Sequence, residues 1–192
     1  MPWKKQFDKR AALDKAQHAF WSHGYEATSM QELVDCTGVN RGSLYATYGD
    51  KRELFLATLH LYDERRIEML AELEAHKTTQ EAIRGMYLAF TNEVTEGGAN
   101  LGCFMTNTAL ELAAHDEEIR ELVANAQKDM EAFFTRMIRK GKASGEIPSH
   151  IKVAETARGL LASLLGLFVL IRSRPEKKLL RAVVDDAMRR LE

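Results

Sequence analysis

The chain has 192 residues carrying 27 Lys and Arg against 28 Asp and Glu, a formal net charge of −1 that, taken alone, argues against a nucleic-acid binder. With 45% hydrophobic residues, 3 Pro and 12 Gly it has the composition of a helix-rich globular protein, long enough for one sizeable core or two small packed domains. Two cysteines cannot build a disulfide framework, the N-terminus has no apolar signal core, and the longest apolar run, Leu160 to Ile171, falls short of the roughly 18 residues of a membrane span. The expected home is therefore a reducing cytoplasm, with no membrane partner.

Charge distribution is more informative than its sum. Lys4, Lys5, Lys9, Arg10 and Lys15 face only Asp8 and Asp14 at the N-terminus, making a basic arm. Phe7 to His23 is predicted as the first helix, with Ala12, Leu13, Ala16, Ala19 and Phe20 at helical spacing and Gly24 ending it. Thr28 or Ser29 can cap a second helix carrying Met30, Leu33 and Val34, which Gly38 stops. Asn40 then caps a third, on which Leu44 and Tyr48 sit four residues apart and leave Arg41, Ser43, Tyr45 and Thr47 on the other faces. Two short helices around a tight turn, the second polar and aromatic, have the layout of a helix-turn-helix whose second helix enters the DNA major groove.

Asp50 is placed to cap a fourth helix through Leu54, Phe55, Leu59, Tyr62, Ile67, Leu70 and Leu73 to about Ala75. Thr78 and Glu81 form a capping-box pattern for a fifth helix with Ile83, Met86, Tyr87, Phe90 and Val94 on one face. Glu96 to Gly102 is the clearest loop, and Cys103 and Phe104 lead into a short sixth helix ending near His115. Asp116 caps a seventh, with an apolar stripe from Ile119 to Ile138. A loop is expected from Gly141 to Ser149, an eighth helix from Ile151 to Ile171, a loop at Arg172 to Pro175, and a ninth helix from Pro175 to Leu191. The expected fold is all-α, with about nine helices and no strand.

The run GVNRGSLYATYGDKRELF resembles the N-terminal domain of TetR-family transcriptional regulators, carried by Gly38, Val39, Gly42, Ser43, Leu44, Tyr45, Tyr48, Lys51 and Leu54. Phe20, Gly24, Tyr25, Thr28 and Ser29 match the family's first helix and its exit. Thr47 is a departure, standing where members often have His or Tyr. The resemblance implies a three-helix DNA-binding domain at residues 1–49 and an effector-binding and dimerisation domain at 50–192. DNA contacts are expected from Thr28, Ser29, Arg41, Gly42, Ser43, Tyr45, Thr47, Tyr48 and Lys51. Arg41 can bond bidentately to guanine or phosphate, and the hydroxyls can donate to phosphate.

The resemblance also places an effector pocket among helices five to seven. Tyr87, Phe90, Cys103, Phe104, Asn107, Leu110, Phe133 and Met137 are its candidate lining, apolar with few polar handles, which suits a small, largely apolar effector. Cys103, at a helix start, is a candidate thiolate for sensing electrophiles or oxidants, whereas Cys36 is assigned to the helix-turn-helix core. Gly159, Ala162, Ser163, Gly166, Leu167, Leu170, Leu180, Val184 and Met188 on the last two helices are the candidate homodimer surface, forming a four-helix bundle across a twofold axis. Such a dimer reads a palindromic operator and acts most simply as a repressor released by its effector. A helical carrier or enzyme without DNA function is the rival class. No catalytic constellation, cofactor loop or metal-ligand spacing is present in the sequence to support it.

Overall fold

The computed structural model describes residues 7–76, 78–95 and 100–192, with the side chains of 76 and 93–95 excluded. Lys4 and Lys5 of the basic arm, the Val94 side chain and positions 96–99 of the expected loop lie outside the described residues. Among the described residues there are nine helices and no strand. They are α1 (Lys9–His23), α2 (Met30–Thr37), α3 (Arg41–Tyr48), α4 (Lys51–His76), α5 (Thr79–Thr95), α6 (Phe104–Glu111), α7 (Glu117–Ser144), α8 (Val153–Ser173) and α9 (Lys177–Arg189).

Local capping chemistry sets most of the starts. Asp8 accepts the Ala11 N–H at 3.0 Å and opens α1, so that helix begins two residues after the expected Phe7. Asp50 accepts from Glu53 N at 2.9 Å, Thr78 and Glu81 exchange capping-box bonds, and Asp116 accepts from Ile119 N at 3.1 Å.

Two helices run further than expected. Helix α7 runs through Gly141 to Ser144. Gly141 is buried and helical, and a Cβ there would lie 2.6 Å from Thr79 Oγ1 and 2.7 Å from Ile147, so it is a point of close approach and not a breaker. Helix α8 likewise continues past Ile171 to Ser173. Its 21 residues include an 18-residue window of mean hydropathy 1.6, long and apolar enough to cross a membrane by length and composition, which the shorter run Leu160–Ile171 did not suggest. In the fold one side of the helix is used internally, with Ala157, Leu160, Leu164, Leu167, Phe168 and Ile171 buried, while the window as a whole is 33% buried. Helix α8 packs on α7, α5 and α9.

One core runs the length of the protein. Phe20 and Tyr25 from the α1 end meet Phe55 of α4 with ring centroids 5.0 and 4.9 Å apart, and Phe55 meets Phe104 of α6 at 5.6 Å. Trp21 stands edge-on to Tyr62 at 5.3 Å. Geometry of this kind adds roughly 0.5–1.5 kcal/mol per pair to the area buried. The helix-turn-helix therefore rests on α4 and α6 through aromatic rings. Further out, Arg136 of α7 clamps Glu74 of α4 with bonds of 2.9 and 3.1 Å, holding that carboxyl below its usual range.

Candidate nucleic-acid interface

Helix α2 opens with a complete capping box. Ser29 Oγ accepts the Glu32 N–H at 3.2 Å, and Glu32 Oε2 accepts the Ser29 N–H at 2.8 Å. The Glu32 carboxyl is held below its ordinary range first by the Ser29 N–H and next by the Ser29 hydroxyl. The helix ends at Gly38, whose φ of 71° is the left-handed conformation that only glycine adopts without cost. Thr37 then ties the turn: its hydroxyl donates to Leu33 O at 2.5 Å and accepts from Val39 N at 3.2 Å. Asn40 Oδ1 accepts from Ser43 N at 2.9 Å and starts α3.

Helix α3 spends one side chain on the core. Leu44 is its only buried residue. Arg41, Gly42, Tyr45 and Ala46 are exposed and Ser43 and Thr47 half-exposed. Tyr45 is 43% exposed, a large aromatic ring left in solvent at the centre of an otherwise polar surface. A Cβ on Gly42 would meet only Asn40 Oδ1, at 3.5 Å, so nothing within the chain requires glycine there. A helix-interior glycine costs about 1 kcal/mol relative to alanine, and here the fold obtains no packing in return.

The remaining expected DNA contacts are placed differently. Ser29 is exposed at the start of α2. Thr28 is fully buried and its hydroxyl donates to Gly24 O at 2.6 Å, so that side chain closes the α1–α2 connection and has no surface to offer a phosphate. Tyr48 is half-buried and donates to Lys9 O at 2.8 Å, with its pKa raised by burial and then by Asp8. Lys51 lies with Nζ 4.4 Å from the Tyr25 ring centroid and 3.5 Å from Glu26 O. Both are already engaged in bracing the head. Cys36, assigned to the core from sequence, is exposed on α2.

Comparison with known proteins now bears on this geometry. Residues 12–58 match the model described as "Bacterial regulatory proteins, tetR family", and residues 79–188 match "Tetracyclin repressor-like, C-terminal domain". The chain belongs to the TetR family. It is 32% identical to the HTH-type transcriptional repressor ComR of Escherichia coli over 96% of this chain and 89% of that protein. It is also 32% identical to the uncharacterised regulator YezE of Bacillus subtilis over 94% of each. Among solved structures, the TetR regulator CifR, a cysteine mutant complexed with 26-bp operator DNA, aligns with a TM-score of 0.84 at 25% identity over 98% of both chains. The protein is accordingly a TetR-family transcriptional regulator, all-α with an N-terminal helix-turn-helix.

The eight expected effector residues are divided among separate places. Tyr87, Phe133 and Met137 are wholly packed in the core, the Tyr87 hydroxyl donating to Leu160 O at 2.7 Å. Phe104, Asn107 and Leu110 line a cavity of about 300 Å³ where α6 faces the end of α1, together with Trp21, Glu111 and Arg172. Phe90 lines a different cavity of about 210 Å³ between α1, α4 and α5. Cys103 is buried at the start of α6, and Tyr62 Oη donates to its Sγ at 3.5 Å. An apolar helical face looks the same in sequence whether it meets another helix or a cavity.

The α8–α9 surface is likewise divided. Gly159, Ala162, Ser163, Gly166, Leu167 and Leu170 line an open groove of about 580 Å³ with Val183 and Asp186. Leu167 forms the floor of that groove and is itself buried. Leu180, Val184 and Met188 are buried within the protomer, where α9 packs on α5 and α8.

Reading the sequence alone missed the residues that join the head to the rest. Glu111 accepts the backbone N–H groups of Tyr25 at 3.1 Å and Glu26 at 2.9 Å. Arg172 donates to Trp21 O and Leu101 O, each at 3.3 Å, and Trp21 Nε1 donates to the same Leu101 O at 3.1 Å. Just beyond the head, Arg52 at the start of α4 bonds Asp116 at 2.8 and 3.0 Å and Glu118 at 2.8 Å, tying α4 to the start of α7. None of these residues belongs to a motif, and their partners are far away in the chain.

Proposed function

We propose that the protein is a homodimeric repressor that reads a palindromic operator through α3 and leaves it when a small, largely apolar effector binds. The exposed face Arg41, Gly42, Ser43, Tyr45 and Thr47, on a helix whose one buried residue is Leu44, carries this reading. Arg41 contacts guanine or phosphate, the hydroxyls of Ser43 and Thr47 and that of Ser29 contact phosphate, and Gly42 lets the sugar-phosphate chain come close. Tyr48 acts from behind that face by fixing α3 on α1, and Lys51 by tying the start of α4 to the α1–α2 link. The operator complex of CifR, with its similar fold, supports this assignment.

The division of labour falls at Asp50: residues 1–49 are the reading head, and 50–192 bind effector and dimerise. The partner protomer lies in the α8–α9 groove. A Cβ on Gly166 would meet nothing within 4 Å, so that glycine has no role inside the protomer and suits the close approach of a second helix. Two recognition helices then meet DNA about one turn apart, ~34–36 Å. Repression is lifted if the effector binds better to a head spacing that does not fit the operator. The cytoplasm, where the DNA lies, is its place of work, and regulation needs no enzymatic step.

Fluorescence anisotropy with labelled DNA from the protein's own upstream region tests this. Specific, salt-sensitive binding that Arg41→Ala abolishes in a folded protein is the expected result. Equal affinity of the two proteins, or no specific binding, refutes it.

A further inference from the structure

The cavity of about 210 Å³ between α1, α4 and α5 is lined by Gln17 and Trp21 of α1, Tyr62, Arg66 and Met69 of α4, and Phe90 of α5. Its walls are apolar and aromatic except at Gln17, Arg65 and Arg66, and of these Gln17 and Arg66 are only 4% and 5% exposed. Among the described residues, the buried side-chain atoms that lack a hydrogen-bond partner are Gln17 Nε2 and Arg66 Nη1. Both are donors, and both residues line this one cavity. A buried donor left unpaired is costly, and native proteins leave few of them. Gln17 cannot turn its amide over to escape, because its Oε1 accepts from Arg65 Nη1 at 3.1 Å.

The geometry points to a ligand site in which these two donors hold one acceptor oxygen of a small, uncharged, mainly apolar molecule, a carbonyl compound being the best fit. Charge decides against a carboxylate. Arg66 already bonds Asp63 at 2.7 Å and Asp129 at 3.0 Å, and Arg65 bonds Asp14. Two guanidinium groups thus face three carboxylates, and a further anion would be repelled. A neutral oxygen satisfies both nitrogens with no added charge, while Trp21, Met69 and Phe90 cover the apolar part. The volume equals about seven waters at ~30 Å³ each, which limits the guest to a small molecule.

The site differs from the pocket expected among helices five to seven. It joins α1, which braces the recognition helix, to the connector α4, so occupation bears on the position of the head. That regulatory consequence rests on the repressor reading above, whereas ligand binding itself does not.

Acetophenone, ethylbenzene and benzoate share one ring and differ in carrying a carbonyl, no acceptor or a charge. Titrating each into ¹⁵N-labelled protein while following the Gln17 and Arg66 side-chain N–H signals measures binding at the proposed atoms. Acetophenone is expected to shift both signals and to bind at least about tenfold more tightly than the other two. Gln17→Glu, which keeps the bond from Arg65 but replaces the donor by an acceptor, is expected to remove that preference. Ala89→Phe at the cavity rim should block all three, a readout that survives if the first variant folds poorly. Equal binding of ethylbenzene or benzoate, an unchanged preference in Gln17→Glu, or signals that respond to none of the probes overturns the proposal. Anisotropy of the ligand-free protein on DNA, measured alongside, separates such a failure from failure of the repressor reading.

Discussion

The Glu111 carboxylate bridges the backbone N–H groups of Tyr25 and Glu26, so the last residue of α6 is fastened to the link between α1 and α2. Gly24 sits directly beneath, where a Cβ would come within 2.9 Å of Glu111 Oε2. Hydrogen bonds to a charged acceptor contribute about 1.5–3 kcal/mol each when well shielded, and less at a partly exposed carboxylate such as this one.

Glu111→Gln is therefore expected to loosen the head without unfolding the body, because an amide offers one acceptor oxygen to two N–H groups. Amide exchange at Tyr25 and Glu26 should speed up several-fold, while α7 and α8 keep their protection. Unchanged exchange at these two amides would show that the carboxylate does not hold them in solution.

Gly42→Ala should separate fold from function. Alanine at this helical position has room and is expected to raise stability by up to about 1 kcal/mol in urea titration. Operator affinity should nevertheless fall about tenfold or more, as the added methyl group meets the sugar-phosphate chain. A variant both more stable and equally tight on DNA would dispose of the close-approach role.

Asp116 gives a pH prediction with a definite sign. Its carboxyl is held below the usual carboxylate range, first by the Arg52 guanidinium and next by the Ile119 N–H. A lowered folded pKa means stability that is fully present above the unfolded value of about 3.9 and is lost as pH falls through the folded one. Asp116→Asn keeps a capping oxygen for Ile119 and loses the ion pair. It should cost up to about 1 kcal/mol at pH 7, with the gap to wild type closing at pH 3 and below in denaturant titrations. A gap that persists undiminished in acid would assign the loss to packing.

Gly166→Arg addresses the α8–α9 groove. The site is open in the protomer, so the charged side chain is tolerated there, yet it would be driven into a partner helix. Light scattering should report a monomer with near-native helicity, and operator binding should weaken because two heads no longer arrive together. A dimer of wild-type stability would move the interface elsewhere.

What the sequence by itself determined is what depends on neighbours three or four residues away. The Ser29 cap of α2, the turn at Gly38 and the Asn40, Asp50 and Asp116 caps are local bonds, and each is found as expected. The polar character of α3 was equally legible, since a helix that buries only Leu44 must display the rest. Tertiary structure alone decided the matters that hinge on distant partners. Thr28, legible as a contact residue, is fully buried in the packed fold. Gly141 is a point of close approach inside α7, where Thr79 and Ile147 leave no room for a Cβ. Leu180, Val184 and Met188, apolar in any reading, were claimed by α5 and α8 within the protomer, which leaves the small residues of α8 as the open surface. Gln17 and Arg66 carry no mark in the sequence. Only the crossing of α1 and α4 leaves one nitrogen of each without a partner at a common cavity.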